Sequence, residues 1–257
     1  LKGALTRHLL KRFRIWDYRT ANGVDHFVAN SEYIAKRIWK VYRREANVVY
    51  PPVDINRFQC RCDKEAFFLS ASRMVPYKRI DLIVEAFTKM PDKQLRVIGD
   101  GPEYAKIARI AADHPNIKLL GFQDDATLVD QMQRAKAFVF AAEEDFGIIP
   151  VEAQACGTPV IAFKAGGTLE TIRSFDDNPA LATGLFFDQQ TAESIQVAVH
   201  RFDQLQQAFD PKSCRINAER FSPEIFRQNM RAQTIVANSN YRYIVEPSAH
   251  GIQVSLA

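Results

Sequence analysis

The sequence lacks several features that would assign it to common functional classes. Its 257 residues contain no run of about 20 apolar residues, so we expect no segment to span a membrane. No Gly-x-x-x-x-Gly-Lys-Ser/Thr loop is present, which argues against a P-loop nucleotidase. The histidines and cysteines do not have metal-ligand spacing, so we predict no metal site. Four cysteines are too few and too irregularly spaced for a secreted disulfide framework, so we expect reduced thiols in a cytoplasmic protein. These are Cys60, Cys62, Cys156 and Cys214.

Positive charge is concentrated near the amino end of the sequence. Residues 1–45 contain 11 Lys/Arg and 4 Asp/Glu, whereas the remainder contains 23 and 26. A basic segment of this kind can bind anionic lipid or nucleic acid, or it can be a solvated face. Apolar residues recur at helical spacing within it, which permits a hypothesis of peripheral contact with an anionic membrane. They are Leu5, Leu9, Leu10, Phe13 and Trp16. We expect no nucleic-acid binding, because the interleaved stacking aromatics of a known module are missing.

Strand-like and helix-like segments alternate from residue 66 onward. Predicted strands cover 66–72, 94–100, 117–122, 137–142, 158–163 and 184–188. Predicted helices cover 79–90, 102–114, 125–135, 150–156, 168–174 and 191–205. The strands are continuous apolar runs, which are typical of a parallel sheet buried on both faces. The alternation therefore predicts a doubly wound, Rossmann-like α/β domain.

Further elements are predicted on either side of this domain. A strand at 24–30 and a helix at 32–44 precede it, and the proline-containing segment 47–58 is interpreted as a linker. A last helix is predicted at about 223–238. The residues after it show no pattern, so we interpret 241–257 as a flexible tail.

The loops that follow the predicted strands are the candidates for a ligand site, because ligands of such sheets bind at the carboxyl ends of the strands. In the first loop, Arg73 and Lys78 suit a diphosphate, although two solvated surface charges would look the same. Gly99 with Gly101, and Gly166 with Gly167, allow the backbone to approach a ligand, and the second pair could offer amides to phosphate. Ordinary tight turns explain both glycine pairs as well.

The loop after the fourth strand contains two glutamates separated by seven residues, Glu144 and Glu152. Pro150 is expected to start a helix, which would put Glu152 in its first turn. Carboxylates accept hydrogen bonds from the hydroxyls of a sugar or a ribose. The amides around Phe146, Gly147 and Ile148 would precede the positive end of that helix and favour an anion. Alternatively, Glu152 is a favourable first-turn charge that contacts no ligand.

Together these segments resemble glycosyltransferase family 4, which comprises retaining enzymes with the two-domain GT-B fold. The resemblance rests on SRMVPYKRID, VIGDGPE, EDFGIIPVEAQACGTPVIAFKAGGTLETI and the upstream segments VDHFVANSEYIAKRI and VVYPPVD, and it covers roughly residues 15–235. The segment RIWDYRTANGVDHFVANSEYIAKRI is most similar to bacterial mannosyltransferases of polysaccharide assembly.

The resemblance implies a role for each matching residue. Arg73 and Lys78 would hold the donor diphosphate without a metal, Glu144 would contact the transferred sugar, and Glu152 would contact the ribose. The remaining positions would line the sugar–phosphate site or shape the donor and base pocket. They are Gly99, Gly101, Gly121, Phe122, Phe146, Gly147, Ile148, Gly166 and Gly167.

The resemblance also implies a division of the chain and a function. Residues 1–49 would be the end of an amino-terminal acceptor domain, 50–222 the donor domain and 223–240 a crossover helix. The implied reaction moves a hexose, with mannose from GDP-mannose favoured, to a saccharide or lipid-linked acceptor. A GT-B sugar-nucleotide epimerase and a non-catalytic nucleotide-sugar-binding partner remain alternatives. We expect the 257-residue chain to bind the donor but to transfer sugar poorly, since most of the acceptor domain is absent.

Overall fold

The structure is a computed structural model that describes residues 2–239, 243–248 and 251–256. Its helices are α1 Lys2–Ala21, α2 Glu32–Tyr42, α3 Ile80–Thr88, α4 Tyr104–Ala111, α5 Asp125–Arg134, α6 Ile148–Ala155, α7 Thr168–Thr171, α8 Ala192–Leu205, α9 Pro211–Glu219 and α10 Pro223–Ser239. Its strands are β1 Phe27–Ala29, β2 Ala46–Val48, β3 Glu65–Ala71, β4 Gln94–Ile98, β5 Ile117–Gly121, β6 Ala135–Phe140, β7 Val160–Phe163, β8 Gly184–Phe187, β9 Tyr243–Ser248 and β10 Gly251–Leu256.

The chain divides into two units. One contains the residues up to Tyr50 and those from Glu224 onward, and the other contains Pro51–Pro223. The boundaries predicted at 49/50 and 222/223 each lie one residue from these divisions. In the first unit α2 packs on the parallel pair β1–β2, and the Asn47 amide donates to Gln233 of α10 at 2.6 Å.

The second unit contains a six-stranded, fully parallel sheet in the order β5-β4-β3-β6-β7-β8. The predicted α/β class and the doubly wound parallel sheet are therefore confirmed. Helices α3, α4 and α8 cover one face, where the ring of Phe68 in β3 contacts Phe87 of α3 and Phe202 of α8. Helices α5, α6 and α9 lie on the other face. The central strands are buried because both faces are covered by helices.

Three parts of the fold differ from the sequence prediction. Residues 47 and 48 were placed at the start of a linker, but they belong to strand β2, which pairs with β1. Helix α9 was missed, although Asp210 caps it and Pro211 occupies its first position, a typical helix start. The interpretation of 241–257 as a tail without structure was wrong where the chain is described, since β9 and β10 pair antiparallel. Residues 240–242, 249, 250 and 257 lie outside the described residues.

Candidate functional site

The sheet order creates one crevice at the carboxyl ends of its central strands. From β3 the chain continues to β4 on one side, whereas from β6 it continues to β7 on the other side. The connections therefore diverge between the neighbours β3 and β6, and in doubly wound sheets ligands bind outside the carboxyl ends of the strands at this point. The loops that follow β3 and β6 are those that carry Arg73, Lys78 and Glu144.

An ion pair joins these two loops. Lys78 ends the short 3-10 helix Pro76–Lys78, and its ammonium contacts the Oε1 atom of Glu144. Only 17% of the Lys78 side chain and 18% of the Glu144 side chain are exposed. Burial lowers the pKa of Lys78, because removal from water disfavours its charged form. The structure thus brings together two residues that are 66 positions apart in the sequence, at the point where a ligand is expected.

Arg73 lies in the same loop as Lys78, but its surroundings differ. It is exposed, and no ion pair with an acidic side chain is found for it within the described part of the chain. The loop itself is anchored to the neighbouring loop after β4, because the Met74 amide donates to the Asp100 carbonyl at 2.8 Å. A fixed backbone with a solvated guanidinium leaves the fork of Arg73 accessible to an anionic ligand.

Glu152 occupies a different turn from the one predicted. Helix α6 begins at Ile148 rather than at Pro150, because Gly147 with φ of 85° starts it two residues earlier. Glu152 therefore lies in the second turn, and its predicted place in the first turn was wrong. Burial raises the pKa of the Glu152 carboxyl, an effect that the charge of Arg57 opposes. The Glu152 side chain is half-buried, and its carboxylate needs hydrogen-bond donors, which ribose hydroxyls could supply.

The glycine pairs pack the site loops against one another. A Cβ on Gly99 would lie 1.9 Å from the Ser72 carbonyl oxygen, and one on Gly166 would lie 2.3 Å from the Glu144 carbonyl oxygen. The equivalent atoms on Gly101 and Gly167 would also collide with backbone. The close approach thus involves the chain itself, and the Gly167 amide already donates to the Glu144 carbonyl at 2.8 Å. The suggestion that this amide is offered to phosphate was wrong.

The other predicted positions divide into buried and exposed groups. The Phe146 ring is buried and meets the Phe221 ring edge-on, with 5.3 Å between the centroids. Phe122, which directly follows β5, is 79% exposed, and the Ile148 side chain is also exposed. Gly121 ends β5 with φ of 67°, and nothing would lie within 4 Å of a Cβ there. That the turn at Gly121–Phe122 helps to shape the donor and base pocket stays a prediction, whereas the Phe146 side chain belongs to the core.

Sequence reasoning missed a buried amide pair behind α6. The Asn217 amide of α9 donates to Gln154 Oε1 at 2.7 Å and to the Thr171 carbonyl at 2.8 Å, while Gln154 donates to the carbonyls of Pro150 and Thr171. Both side chains are fully buried. Because α9 itself was not predicted, no sequence signal linked these residues.

Two other kinds of feature are absent from the described residues. No group of three or more His, Cys, Asp or Glu side chains there could hold a metal ion. None of the helices described is both long and apolar enough to cross a bilayer.

The family model for glycosyl transferases group 1 matches residues 53–220, which include every loop of this crevice. The chain belongs to this family. Its members are enzymes, and the predicted resemblance to GT-B glycosyltransferases is confirmed.

Curated relatives of the chain act on different substrates according to their names. A GDP-mannose-dependent monoacylated alpha-(1-6)-phosphatidylinositol monomannoside mannosyltransferase of Corynebacterium glutamicum is 35% identical over 137 residues, which cover 48% of this chain and 34% of the relative. A D-inositol 3-phosphate glycosyltransferase of Mycobacterium marinum is 28% identical over 183 residues, which cover 62% of this chain and 39% of the relative. The chain thus spans between a third and two fifths of the length of these relatives.

Solved structures show the same fold. Anabaena HepE, in complex with UDP and glucose, matches with a TM-score of 0.73 and 20% identity, covering 90% of this chain and 68% of that one. The sucrose-phosphate synthase of Thermosynechococcus elongatus matches with a TM-score of 0.72 and 21% identity, covering 84% of this chain and 59% of that one.

Proposed function

We propose that this chain provides the donor-binding part of a retaining family 4 glycosyltransferase of the cytoplasm. The whole enzyme would move a hexose from a nucleotide diphosphate sugar to a saccharide or lipid-linked acceptor, in the assembly of a polysaccharide or glycolipid. The observation that carries the proposal is the Lys78–Glu144 ion pair at the carboxyl ends of β3 and β6.

The chemistry of sugar transfer accounts for the charges in this crevice. When the bond from the sugar to the diphosphate breaks, negative charge develops on the departing phosphate oxygen, and Arg73 and Lys78 would stabilise that charge. Glu144 would hold Lys78 in place before the donor binds and would accept hydrogen bonds from hydroxyls of the transferred sugar. With two cations available, the proposal includes no metal ion.

GDP-mannose is the donor that we favour. The corynebacterial relative is named as GDP-mannose-dependent, which supports it, whereas HepE was solved with UDP, so the base must be tested directly. A thermal-shift series with GDP-mannose, UDP-glucose and an ADP-sugar should give the largest rise in melting temperature with GDP-mannose, because a ligand that binds only the folded chain stabilises it. A larger rise with a UDP-sugar would refute the choice of base but not the class of ligand.

Charge-removing substitutions test the diphosphate site itself. Arg73→Ala and Lys78→Ala should each weaken GDP binding by about tenfold or more, since hydrogen bonds to charged groups contribute about 1.5–3 kcal/mol. Lys118→Ala, which removes an exposed lysine of β5, is the matched control and should leave the dissociation constant unchanged. GDP binding should also persist in EDTA. Equal affinities for all three variants would exclude this crevice as the phosphate site.

The reaction is tested in a protein that also contains an acceptor domain. There, Arg73→Ala and Glu144→Ala should abolish transfer. Epimerised nucleotide sugar formed without acceptor would instead identify an isomerase, and unchanged transfer would refute the assigned roles. The 257-residue chain alone should bind donor and transfer sugar poorly, and robust transfer by it would contradict the proposed division of labour.

Helix α1 supports contact with an anionic membrane as part of this function. Leu5, Leu9, Phe13 and Trp16 follow one another at intervals of three or four residues, and each is exposed. Arg12 and Arg19 lie on the same helix, and a basic amphipathic helix binds bilayers that contain acidic lipid.

Vesicle sedimentation tests this contact. The chain should bind vesicles of phosphatidylcholine with phosphatidylglycerol, and Phe13→Ser with Trp16→Ser should abolish that binding. Equal recovery with neutral and acidic vesicles, or none with either, would reject the membrane contact and leave the donor site unaffected.

A further inference from the structure

Phe146 lies in the loop of Glu144, and its position is fixed from two sides. On one side its Cα is so close to Gly167 that a Cβ there would lie 2.3 Å away. On the other side the Phe221 ring contacts its ring edge-on at 5.3 Å, and both rings are buried. The Glu144 loop can therefore shift only if one of these two supports gives way.

Phe221 is in turn held by a segment that is remote in the sequence. The Val53 amide donates to the Phe221 carbonyl at 2.8 Å, and Val53 is itself buried. Val53 lies three residues after Tyr50, and Phe221 lies two residues before Pro223, so both adjoin the two places where the chain passes from one unit to the other. The contact between them is part of the Pro51–Pro223 unit.

Helix α9, which ends two residues before Phe221, is bonded to α6 and α7, the helices that follow the Glu144 loop and the Gly166–Gly167 turn. Asn217 bonds to Gln154 of α6 and to the carbonyl at the end of α7, and the Arg220 guanidinium donates to Asn217 Oδ1 at 2.9 Å. The two bonds that Asn217 donates are buried, where no solvent can replace them, so they hold the segment before Phe221 firmly against α6. Helix α9 and its buried hydrogen bonds thus fix Phe221, whose ring packs against the ring of Phe146.

We infer that Phe221 is a positioning residue for the donor site, which acts through Phe146 on the loop of Glu144. The inference rests on the proposed function. It adds a link between ligand binding in the crevice and the Val53–Phe221 contact, which lies next to the two boundaries between the units. Coupling of this kind is reciprocal: a change at Phe221 alters donor affinity, and donor binding stabilises the Val53–Phe221 contact.

The experiment compares two phenylalanine-to-leucine variants of the 257-residue chain. Phe221→Leu removes the contact with Phe146, whereas Phe202→Leu removes an equally buried ring that packs on Phe68 and Phe209 near the other end of the sheet. GDP and UDP affinities are measured by calorimetry, and amide hydrogen exchange is followed for residues 144–148. If Phe221→Leu does not fold, Phe221→Met takes its place, because the longer and more flexible methionine side chain can fill an irregular space.

Phe221→Leu should weaken binding of the preferred nucleotide by about fivefold or more and should accelerate exchange at 144–148, whereas Phe202→Leu should do neither. In the unsubstituted chain, nucleotide should slow exchange of the Val53 amide, a readout that needs no variant. Loss of stability without these changes is what a purely structural role predicts, and it would overturn the inference while leaving the proposed function intact. If the unsubstituted chain bound neither nucleotide, the proposed function would fail and the inference with it.

Discussion

Three glycine substitutions separate backbone strain from steric packing at the donor loops. Gly121 and Gly166 share nearly the same backbone conformation, with φ of 67° and 69°. A Cβ at Gly121 would meet nothing within 4 Å, whereas one at Gly166 would lie 2.3 Å from the Glu144 carbonyl oxygen. Gly167 has an ordinary φ of −67°, but a Cβ there would lie 2.3 Å from the Phe146 Cα. Gly121→Ala therefore tests backbone strain alone, Gly167→Ala tests steric collision alone, and Gly166→Ala tests both together.

The expected losses of stability follow from these geometries. Left-handed backbone costs a residue with a Cβ about 1–2 kcal/mol, which is the whole effect expected for Gly121→Ala. Forcing a methyl group into packed backbone typically costs about 1–3 kcal/mol, which is the effect expected for Gly167→Ala. Gly166→Ala combines both terms, so its loss should be about 2–5 kcal/mol.

Urea unfolding followed by circular dichroism measures the three losses, and an unchanged slope shows that the same transition is compared. Donor affinity should fall for Gly166→Ala and Gly167→Ala, because both displace the loop of Glu144. If Gly166→Ala costs no more than Gly121→Ala, the Glu144 loop does not rest on Gly166, and the argument for close packing of these loops is refuted.

Three further predictions concern buried ionisable groups. Burial lowers the pKa of Lys64 from 10.5 to about 8, so between these pH values the unfolded chain binds one more proton than the folded chain. The free energy of unfolding should therefore rise with pH across this interval, by about 3 kcal/mol more in the unsubstituted chain than in Lys64→Met. Parallel pH profiles of the two proteins would contradict this. Burial raises the pKa of Glu152, so its ionised form destabilises the folded chain at neutral pH. Glu152→Gln should therefore raise the melting temperature at neutral pH, and less so in acid, while it weakens nucleotide binding. A lower melting temperature at neutral pH would argue against a carboxylate that is kept for ligand binding. Burial raises the pKa of Cys156 and of Cys214 to about 12, so maleimide should label exposed Cys62 in the native chain and these two only after unfolding, as mass spectrometry of the labelled chain would show.

Periodicity was sufficient to predict the sheet and most of its helices, but long-range contacts were not encoded in any local pattern. Arg73 and Lys78 could be selected because they follow an apolar strand, and Glu144 because it follows another. That Lys78 and Glu144 touch depends on β3 and β6 being neighbours, which the order of strands along the chain does not reveal. The glycine pairs were recognised as sites of close approach, but the partner proved to be backbone, because sequence spacing gives no information about what fills the space.

Local chemistry also misled at the start of α6. Pro150 favours the first turn of a helix, and the sequence therefore predicted a start there. In the structure Gly147 adopts a left-handed conformation that few other residues tolerate, and the helix begins immediately after it. The consequence is that Glu152 lies in the second turn of α6, farther from the amino terminus of the helix than predicted.

The basic side chains at the two ends of the same sheet differ in their hydrogen-bond and ion-pair partners, and this contrast is the strongest argument for a ligand. At the amino end, the Lys64 ammonium donates to the Gln133 and Cys156 carbonyls and to Thr158, while Lys93 and Lys136 share the carboxylate of Asp203. Their hydrogen-bonding capacity is used by the protein, because unpaired buried charges would destabilise the fold.

At the carboxyl end, Lys78 has a carboxylate partner that sugar hydroxyls can also use, and Arg73 is exposed without an acidic partner in the described residues. A surface charge alone would indicate nothing, but here it lies in a loop whose backbone is fixed by Met74 and adjoins the point where the strand connections diverge. Met74 packs in the core and so fixes the loop, and a fixed loop also reduces the entropy that a diphosphate would otherwise lose on binding to Arg73. The difference in GDP affinity between Arg73→Ala and Lys118→Ala is therefore the measurement on which the interpretation of this crevice depends.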